Sequence, residues 1–315
     1  MAPAKHFIIL NPAAGRGAAA RTRPQVERWL RAQHLLYDLA LTERPGHALE
    51  LAEHAAAVGY DVVVAAGGDG TANEVLNGLL RGRPAGDASG PALGLLCAGR
   101  GNDLAFGIGA PIGLEAGCAA LAQGRRRLID VGRAVGGLYP EGRFFGNGVG
   151  IGFDAVVGFE ALKLKRLSGF AGYAVAAVRT IAVFDRAPEV ELDLDGVVTR
   201  QPALLVSAMN GRRMGGGFLM GPQASPEDGW LDLCIGGQVS RLGILSLIGR
   251  FMRGSQGRHP AVRMARARRV RVTALSGVLP AHADGETLCT AGQTLTLELR
   301  PRQLAVIVGP DAAHA

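Results

Sequence analysis

The sequence predicts two domains, an α/β domain with a parallel sheet followed by a β-rich, sandwich-like domain. First, a chain of 315 residues is longer than a typical single domain. Second, strands alternate with helices in its first third, whereas short glycine-punctuated strands dominate after about residue 130. We expect the first domain to cover residues 1–133, joined by the returning tail 300–315, and the second to cover 134–299.

In the first domain, short apolar runs alternate with segments whose apolar residues recur at helical spacing. The predicted strands are 6–10, 37–42, 61–66 and 91–99. The predicted helices are 21–33, 48–59 and 72–80. Strands and helices that alternate at this spacing form βαβ units, so we expect the four strands to be parallel.

In the second domain, the predicted strands are shorter and are bounded by glycine and other turn residues. They lie at 189–196, 203–210, 230–237, 268–275 and 294–300. Two helical segments, around 158–183 and 241–253, interrupt them. This pattern is typical of an antiparallel sheet domain and favours a sandwich.

Composition narrows the classes of function. Lysine and arginine outnumber aspartate and glutamate by 34 to 27, and the net charge of +7 suits partners that carry negative charge. The four cysteines lie far apart without a CxxC spacing, which argues against a zinc site or disulfide framework and favours a cytoplasmic protein. The longest apolar stretch, 170–184, contains Arg179 and is shorter than the roughly 20 residues of a membrane span.

The segment AAGGDGTANE, residues 65–74, follows a predicted strand and leads into a helix. A glycine-rich turn at a helix N-terminus presents backbone N–H groups to phosphate. Asp69 would repel that phosphate unless a cation lies between them, so the loop predicts a nucleotide site with Mg²⁺. A tight turn is the simpler alternative, in which Thr71 and Glu74 have the spacing of a capping box.

Several polar residues allow two interpretations each. Asn11 ends the first strand, where open α/β sheets bind ligands, although it could also form a simple turn. Asp103 suits a helix N-cap, and Asp228 suits an Asp-Gly turn. Asp130 could pair with the arginines at 125–127.

Asp284 and Glu286 flank Gly285 in the segment ADGE, residues 283–286. In isolation this segment is typical of a turn between two strands. A hydroxyl group that accepts a phosphoryl group, however, needs a carboxylate to take its proton as the new bond forms. The two carboxylates could divide the roles of base and supporting group.

The segment 241–272 carries many arginines and no acidic residue. Its first part, 241–253, has the pattern of an amphipathic helix. This helix is either an ordinary surface helix or a docking element for anionic lipid, to which the basic segment 163–167 could contribute. Nucleic acid is not an expected partner, because interleaved aromatic residues and a recognisable binding motif are missing.

The segment GGDGTANEVLNGLL, residues 67–80, resembles the signature of the diacylglycerol kinase catalytic domain, in its bacterial lipid-kinase branch. Further segments match that family in the same order, so the resemblance covers nearly the whole chain. They are NPAAG at 11–15, LTERPGHA at 41–48, AGRGNDLA at 98–105, IDVG at 129–132, MGGGFLMGPQASPEDGWLDL at 214–233 and ADGE at 283–286. The resemblance implies the two-domain fold shared by NAD kinases and diacylglycerol kinases.

The resemblance also implies roles for individual residues. The implied ATP-binding residues are Asn11, Pro12, Gly15, Thr42, Gly67, Gly68, Asp69, Gly70, Thr71, Asn73, Glu74, Arg100, Asn102 and Asp103. The implied metal-linked residues are Asp69, Asp103 and Asp130, with a second magnesium site formed by Asp228 and the backbone oxygens of Ser225 and Trp230. ADGE is implied to carry the catalytic base, for which we favour Glu286 over Asp284. Arg100 replaces the family's usual threonine and could pair with a phosphate instead.

These expectations describe a cytoplasmic kinase that uses ATP and Mg²⁺, binds peripherally to an anionic membrane and phosphorylates a lipid hydroxyl. The β-rich domain is expected to bind the acyl part of the lipid, with the active site in the cleft between the domains. Diacylglycerol is the favoured acceptor, while sphingoid bases, ceramide and phosphatidylglycerol stay open. A kinase of a soluble acceptor such as NAD and a catalytically silent nucleotide or lipid sensor are the alternatives. A homodimer is also left open.

Overall fold

The computed structural model describes most of the chain. The described residues are 3–99, 101–163, 175–176, 178–180 and 186–310, without the side chains of 161–163. Arg100, much of the predicted helical segment 158–183 and the basic residues 164–167 lie outside them.

The chain divides into two compact units. The N-terminal unit contains the residues up to Val131 together with those from Arg300 onward, and the C-terminal unit contains Gly132–Leu299. The predicted boundary, after residue 133, lies two residues from this division.

The N-terminal unit is built on a parallel sheet. Its strands are β1 (Lys5–Leu10), β2 (Leu36–Leu41), β3 (Val62–Gly67) and β4 (Ala92–Cys97). They are ordered β2-β1-β3-β4, and every neighbouring pair is parallel. All residues of β3 are buried, as expected for an apolar strand in the middle of a parallel sheet. The predicted parallel sheet is therefore confirmed.

Five helices connect and cover these strands. They are α1 (Ala14–Ala32), α2 (His47–Val58), α3 (Asp69–Leu80), α4 (Asp103–Ile108) and α5 (Leu114–Gln123). The start of α1 is irregular, because Gly15, Arg16 and Gly17 all have positive φ. Only glycine fits at position 15, where a Cβ atom would lie 2.7 Å from the carbonyl oxygen of Ala98.

The predicted capping box at the start of α3 is wrong. The helix begins at Asp69, its N-cap is Gly68, and no side chain caps it. The Glu74 carboxylate instead accepts N–H groups from Gly46 (2.9 Å) and Ala48 (3.1 Å), at the start of α2. The spacing within the sequence could not reveal this partner, because Glu74 satisfies the free donors of a different helix.

The C-terminal unit contains a six-stranded sheet. Along the chain its strands are β7 (Gly148–Gly152), β10 (Leu205–Met209), β11 (Leu231–Gly236), β12 (Val262–Ala267), β14 (Leu279–Ala283) and β15 (Glu286–Gly292). Their order in the sheet is β12-β11-β10-β7-β14-β15, with antiparallel pairing throughout.

The remaining strands form the second layer of this unit. They are β5 (Arg126–Gly136), β6 (Tyr139–Phe145), β8 (Glu189–Leu194), β9 (Val197–Pro202), β13 (Arg269–Ala274) and β16 (Thr294–Ile307). A buried apolar cluster joins side chains of both layers, including Val149, Ile151, Val206, Leu233, Val270, Val272, Leu295 and Leu297. The predicted sandwich is therefore confirmed.

Two helices cover the other face of the six-stranded sheet. They are α6 (Phe153–Lys163) and α7 (Arg241–Arg253). A second buried cluster joins Phe153 of α6 and Ile244 of α7 to Met209 and Cys234 of the sheet. Among the described residues, no helix combines the length and apolar character that crossing a bilayer requires.

The division between the units falls within strands. Residues 294–299 of β16 pair with β13 in the C-terminal unit. Residues from 300 onward belong to the N-terminal unit, where Val306 pairs with Leu93 of β4 in parallel. The Gln303 amide also contacts backbone groups of Pro84, Gly86 and Asp87.

Candidate active site

The glycine loop lies at the carboxyl end of β3. The carbonyl oxygen of Gly67 accepts N–H groups from Ala98 (2.8 Å) and Gly99 (3.1 Å), which follow β4. A Cβ atom on Gly67 would collide with Thr71, and one on Gly68 would lie 3.3 Å from the Cα atom of Gly99. The two glycines therefore allow two loops to pass in close contact, with backbone groups at the start of α3.

Asp69 is bound by the backbone at the start of α4. Its Oδ2 accepts the N–H of Asn102 (2.7 Å), and its Oδ1 accepts those of Asp103 (2.7 Å) and Leu104 (3.3 Å). A Cβ atom on Gly101 would lie 2.7 Å from Asp69 Oδ2 and 3.6 Å from Asp103 Oδ2. The carboxylates of Asp69 and Asp103 therefore lie around one point, although their residues are 34 positions apart.

This arrangement suits a magnesium ion that arrives with a nucleotide. Carboxylate oxygens are hard ligands, and Mg²⁺ often uses one or two of them together with water and substrate phosphates. In the part of the chain that the structure describes, no group of three His, Cys, Asp or Glu side chains could hold a metal. The pair fits an ion whose remaining ligands come from phosphate and water.

Cys97, which is not among the predicted site residues, lies close enough to Asp69 for its pKa to be affected by that charge. Burial, followed by the negative charge of Asp69, raises the pKa of the Cys97 thiol to about 12. The thiol is therefore neutral at physiological pH. The same field would oppose phosphate, which is the conflict that a cation beside Asp69 would remove.

The carboxyl ends of β1, β2 and β3 bring further predicted residues together. Asn11 donates its side-chain N–H to Thr71 Oγ1 (3.0 Å) and accepts the N–H of Ala13 (3.0 Å). The N–H of Thr42 donates to the carbonyl oxygen of Leu10 (3.0 Å). This is the sheet edge at which open α/β folds bind ligands.

Two other predicted residues have buried side chains with structural contacts. Asn73 is fully buried, and its side-chain and backbone oxygens accept hydrogen bonds from Asn77. Asp130 is also fully buried, and its Oδ1 accepts the N–H of Arg302 (2.7 Å), which joins β5 to β16. Their proposed contacts with nucleotide and metal stay predictions, as does that of Arg100, which lies outside the described residues.

Asp284 is part of a backbone clamp. It has a positive φ of 49° and is 8% exposed. Its Oδ2 accepts the N–H of Gly146 (2.8 Å), and its Oδ1 accepts those of Asn147 (3.0 Å) and Gly148 (2.9 Å). Asp284 thereby fixes the turn between β6 and β7.

Glu286 differs from Asp284 in its surroundings. It is partly exposed at the first residue of β15, and its carboxylate makes no hydrogen bond or ion pair with the described residues. A carboxylate that receives a proton needs access to the acceptor hydroxyl. Glu286 is therefore the more accessible of the two carboxylates, and its role as the base stays a prediction.

The sequence analysis missed two asparagines that support the same turn. The side-chain N–H of Asn147 donates to the carbonyl oxygen of Arg213 (2.9 Å). That of Asn210 donates to the carbonyl oxygen of Gly146 (2.8 Å). Both asparagines lie just after a strand and precede a glycine, a signal that marks a turn without revealing its partner.

Asp228 is engaged by groups that compete with a cation. Its Oδ1 accepts the N–H of Trp230 (3.0 Å), and its Oδ2 lies 3.7 Å from the Arg266 guanidinium. The Arg268 guanidinium lies over the Trp230 ring at 4.6 Å. A guanidinium this close to Asp228 does not favour Mg²⁺, so the second magnesium site with Ser225 stays a prediction that this geometry does not support.

The C-terminal unit also contains an apolar pocket between α6, α7 and the six-stranded sheet. It encloses about 480 Å³ of empty space, part of which is open to solvent. Its lining residues are Phe153, Asp154, Val157, Leu204, Leu205, Phe218, Met220, Ile244, Leu247, Ile248 and Phe251. The lining is almost wholly apolar, so the pocket suits a hydrocarbon group.

Two family descriptions match the chain. "Diacylglycerol kinase catalytic domain" matches residues 5–134. "YegS C-terminal NAD kinase beta sandwich-like domain" matches residues 147–308. The two matches fall on the parts of the chain that form the parallel sheet and the sandwich.

Curated relatives match over most of their length. A Pseudomonas aeruginosa protein named "Probable lipid kinase YegS-like" is 32% identical over 267 residues, which are 84% of this chain and 82% of the relative. A Staphylococcus saprophyticus protein named "Diacylglycerol kinase" is 27% identical over 280 residues, which are 89% of this chain and 88% of the relative.

Solved structures share the fold. A crystal structure of a diacylglycerol kinase from Bacillus anthracis has a TM-score of 0.75 at 20% identity, covering 99% of this chain and 100% of that one. An NAD kinase from Archaeoglobus fulgidus in complex with ATP has a TM-score of 0.54 at 15% identity, covering 98% and 95%. At these identities the likeness concerns the fold alone.

Proposed function

Because the chain belongs to the family of diacylglycerol kinases and YegS-like lipid kinases, and is therefore a lipid kinase, we propose that it converts diacylglycerol to phosphatidic acid. The observation that favours a lipid over a soluble acceptor is the apolar pocket in the unit that contains ADGE. A lipid acceptor can bury a hydrocarbon chain there, whereas a soluble acceptor such as NAD has no comparable apolar group. Diacylglycerol is also the acceptor in the names of several relatives.

The N-terminal unit supplies the nucleotide site in this proposal. Backbone N–H groups around Gly67, Gly68 and the start of α3 would bind ATP phosphates. Asp69 and Asp103 would hold the magnesium ion, which when bound supplies positive charge that offsets the charge of the phosphates. The hydrogen bonds to Asp69 keep its carboxylate in place before the nucleotide binds.

The C-terminal unit supplies the acceptor site. Glu286 would take the proton of the lipid hydroxyl while the hydroxyl oxygen attacks the γ-phosphorus and the bond to ADP breaks. Asp284 would position the adjacent turn, since both of its oxygens accept backbone N–H groups. The acyl chain would occupy the apolar pocket.

A panel of acceptors tests the proposed substrate. Radiolabelled ATP is supplied with diacylglycerol, sphingosine, ceramide, phosphatidylglycerol or NAD, each lipid in the same neutral detergent micelle. We expect kcat/KM for diacylglycerol to exceed that for every other acceptor by at least about tenfold, a difference of ~1.4 kcal/mol in transition-state binding. A higher value for another lipid would reject diacylglycerol, and phosphorylation of NAD alone would reject the lipid acceptor.

We also propose that α7 docks on anionic membranes. Its outward side exposes Leu242 (78%), Leu245 (46%) and Met252 (46%), while Ile244 and Leu247 are buried. Arg241 and Arg253 are exposed at its two ends. Apolar side chains flanked by arginine suit an interface of acyl chains and anionic headgroups.

Replacing Arg241, Arg250 and Arg253 with glutamine tests this docking. The contribution of about 1 kcal/mol per arginine predicts an approximately 10²-fold loss of affinity for phosphatidylserine-containing vesicles, measured by co-sedimentation. Activity at limiting vesicle concentration should fall, while activity in neutral micelles should not.

The matched control removes the same charge elsewhere. Arg21, Arg28 and Arg31 are exposed on α1, and their replacement with glutamine should leave vesicle affinity within about threefold of wild type. Equal losses for both triple variants would mean that net charge, not the α7 surface, governs binding. Equal losses of activity in vesicles and in micelles would mean that the α7 arginines contribute to folding and not to membrane docking.

A further inference from the structure

A polar row crosses the six-stranded sheet on the face that α6 covers. Ser207 of β10 pairs with Gly150 of β7, and Gly150 pairs with His282 of β14. The Asp154 carboxylate lies over Gly150, where a side chain would collide with it. The absent side chain of Gly150 thus makes room for Asp154 between a hydroxyl and an imidazole.

These groups are buried, and the Ser207 hydroxyl donates to Asp154 Oδ2 (3.4 Å). Ser207, Asp154 and His282 are 0%, 5% and 4% exposed. Neither ring nitrogen of His282 has a hydrogen-bond partner among the described residues. Such buried nitrogens are rare, since leaving a polar group unsatisfied costs about 1–3 kcal/mol. The folded chain alone therefore does not explain why a histidine is buried at position 282.

The His282 imidazole and the Asp154 carboxylate lie close together without a hydrogen bond between them. His282 Nε2 lies 3.8 Å from Asp154 Oδ2, beyond the range of a hydrogen bond. A hydroxyl oxygen could span this gap by donating to the carboxylate and accepting from an imidazole N–H, whereas a carbonyl oxygen could accept only from the imidazole. The geometry suits a ligand oxygen that enters beside Asp154.

One member of the row, Asp154, reaches the apolar pocket. Asp154 belongs to the pocket lining, and it is the one charged residue in that lining within the described part of the chain. Ligand pockets combine mostly apolar walls with a few polar groups that orient the ligand. His282 also precedes Asp284 by two residues, and alternate residues of a strand share one face. The row is therefore two residues away from Asp284 of the ADGE turn along the chain.

We propose that His282 and Asp154 form a polar subsite that binds an oxygen atom of the lipid acceptor, either its glycerol hydroxyl or one of its ester carbonyls. An acyl chain of the same lipid fills the apolar pocket. His282 is then a specificity-determining residue, and Asp154 orients the imidazole and the ligand oxygen. This inference rests on the proposed function, because it takes a glycerolipid as the ligand.

Three matched probes test the subsite without catalysis. Dioctanoylglycerol is the reference, dioctylglycerol lacks its two carbonyl oxygens, and the dioctanoate ester of 1,2-propanediol lacks its hydroxyl. Their dissociation constants are measured in detergent without ATP. We expect the wild-type chain to prefer the reference over one of the analogues by about tenfold, the effect of one lost hydrogen bond. The affected analogue identifies the oxygen that is bound.

Variants of two buried histidines test whether His282 causes the preference for the reference lipid. His282→Leu should abolish it, and His282→Gln should retain part of it because an amide still hydrogen-bonds. The apo melting temperature of His282→Leu should not fall, since the imidazole nitrogens lack partners in the described structure. The control is His6→Leu, because His6 in β1 is buried to a similar extent (3% exposed). This variant should keep the preference.

The outcomes separate this inference from the proposed function. An unchanged preference in His282→Leu and His282→Gln would overturn the subsite, even if the chain phosphorylates diacylglycerol. A preference that disappears in His282→Leu and weakens in His282→Gln, but stays in His6→Leu, would support the subsite. This holds even if the acceptor panel shows a higher kcat/KM for another lipid. Equal loss in His6→Leu, or no preference in the wild type, would also overturn it.

Discussion

Replacing Asp69 with asparagine is expected to lower kcat with Mg-ATP by about 10³-fold, because charge stabilisation by a metal and its ligands contributes several kcal/mol to phosphoryl transfer. Asparagine keeps the size of the side chain and one oxygen that can accept a backbone N–H. It removes the negative charge that would hold the cation. Steady-state kinetics, together with calorimetric ATP binding at several magnesium concentrations, measures the effect.

The choice of asparagine over alanine follows from the contacts of Asp69. Alanine would leave the N–H groups of Asn102, Asp103 and Leu104 without their acceptor, and the start of α4 would lose its anchor. The control is Asp87→Asn in the same unit, where the carboxylate accepts hydrogen bonds from the backbone and the hydroxyl of nearby Ser89. If Asp69→Asn keeps more than about a tenth of the wild-type kcat, a change below ~1.4 kcal/mol, the metal-linked role is wrong.

Replacing Glu286 with glutamine is expected to lower kcat by about 10²–10⁴-fold, the usual effect of removing a general base. ATP affinity and thermal stability should stay near the wild-type values, because the carboxylate makes no hydrogen bond or ion pair with the described residues. Kinetics with saturating lipid and separate calorimetry of ATP binding measure the two properties.

The companion variant, Asp284→Asn, should give a different pattern. It weakens the clamp on residues 146–148, so a loss of activity should be accompanied by a lower melting temperature. Normal turnover in both variants would show that ADGE is only a turn. An inactive but fully stable Asp284→Asn, beside an active Glu286→Gln, would reverse the assignment of the base.

Much of the fold could be predicted because it depends on local patterns. The apolar runs around Val64 and Leu95 identify β3 and β4 through their length and composition, and the amphipathic spacing within 241–253 identifies α7. The glycine loop was predictable for the same reason, since strand, loop and helix are adjacent in the sequence.

The contacts that the sequence did not reveal join distant residues. Asp284 binds a turn more than 130 positions away, and Glu74 binds the start of another helix. The row of Ser207, Gly150 and His282 depends on the register of three strands, which a single sequence does not specify. Residue type suggests that such groups are polar and buried, but tertiary pairing decides what they contact.

The crossing of β16 from one unit to the other has a consequence for biosynthesis. The ribosome makes β4 before the C-terminal unit, but the residues that pair with it, near Val306, emerge only after that unit. At about 5–20 residues per second, the intervening chain takes on the order of ten to forty seconds to make. Until then one edge of the nascent N-terminal sheet lacks its last strand, and an open edge is a place where chains can pair wrongly.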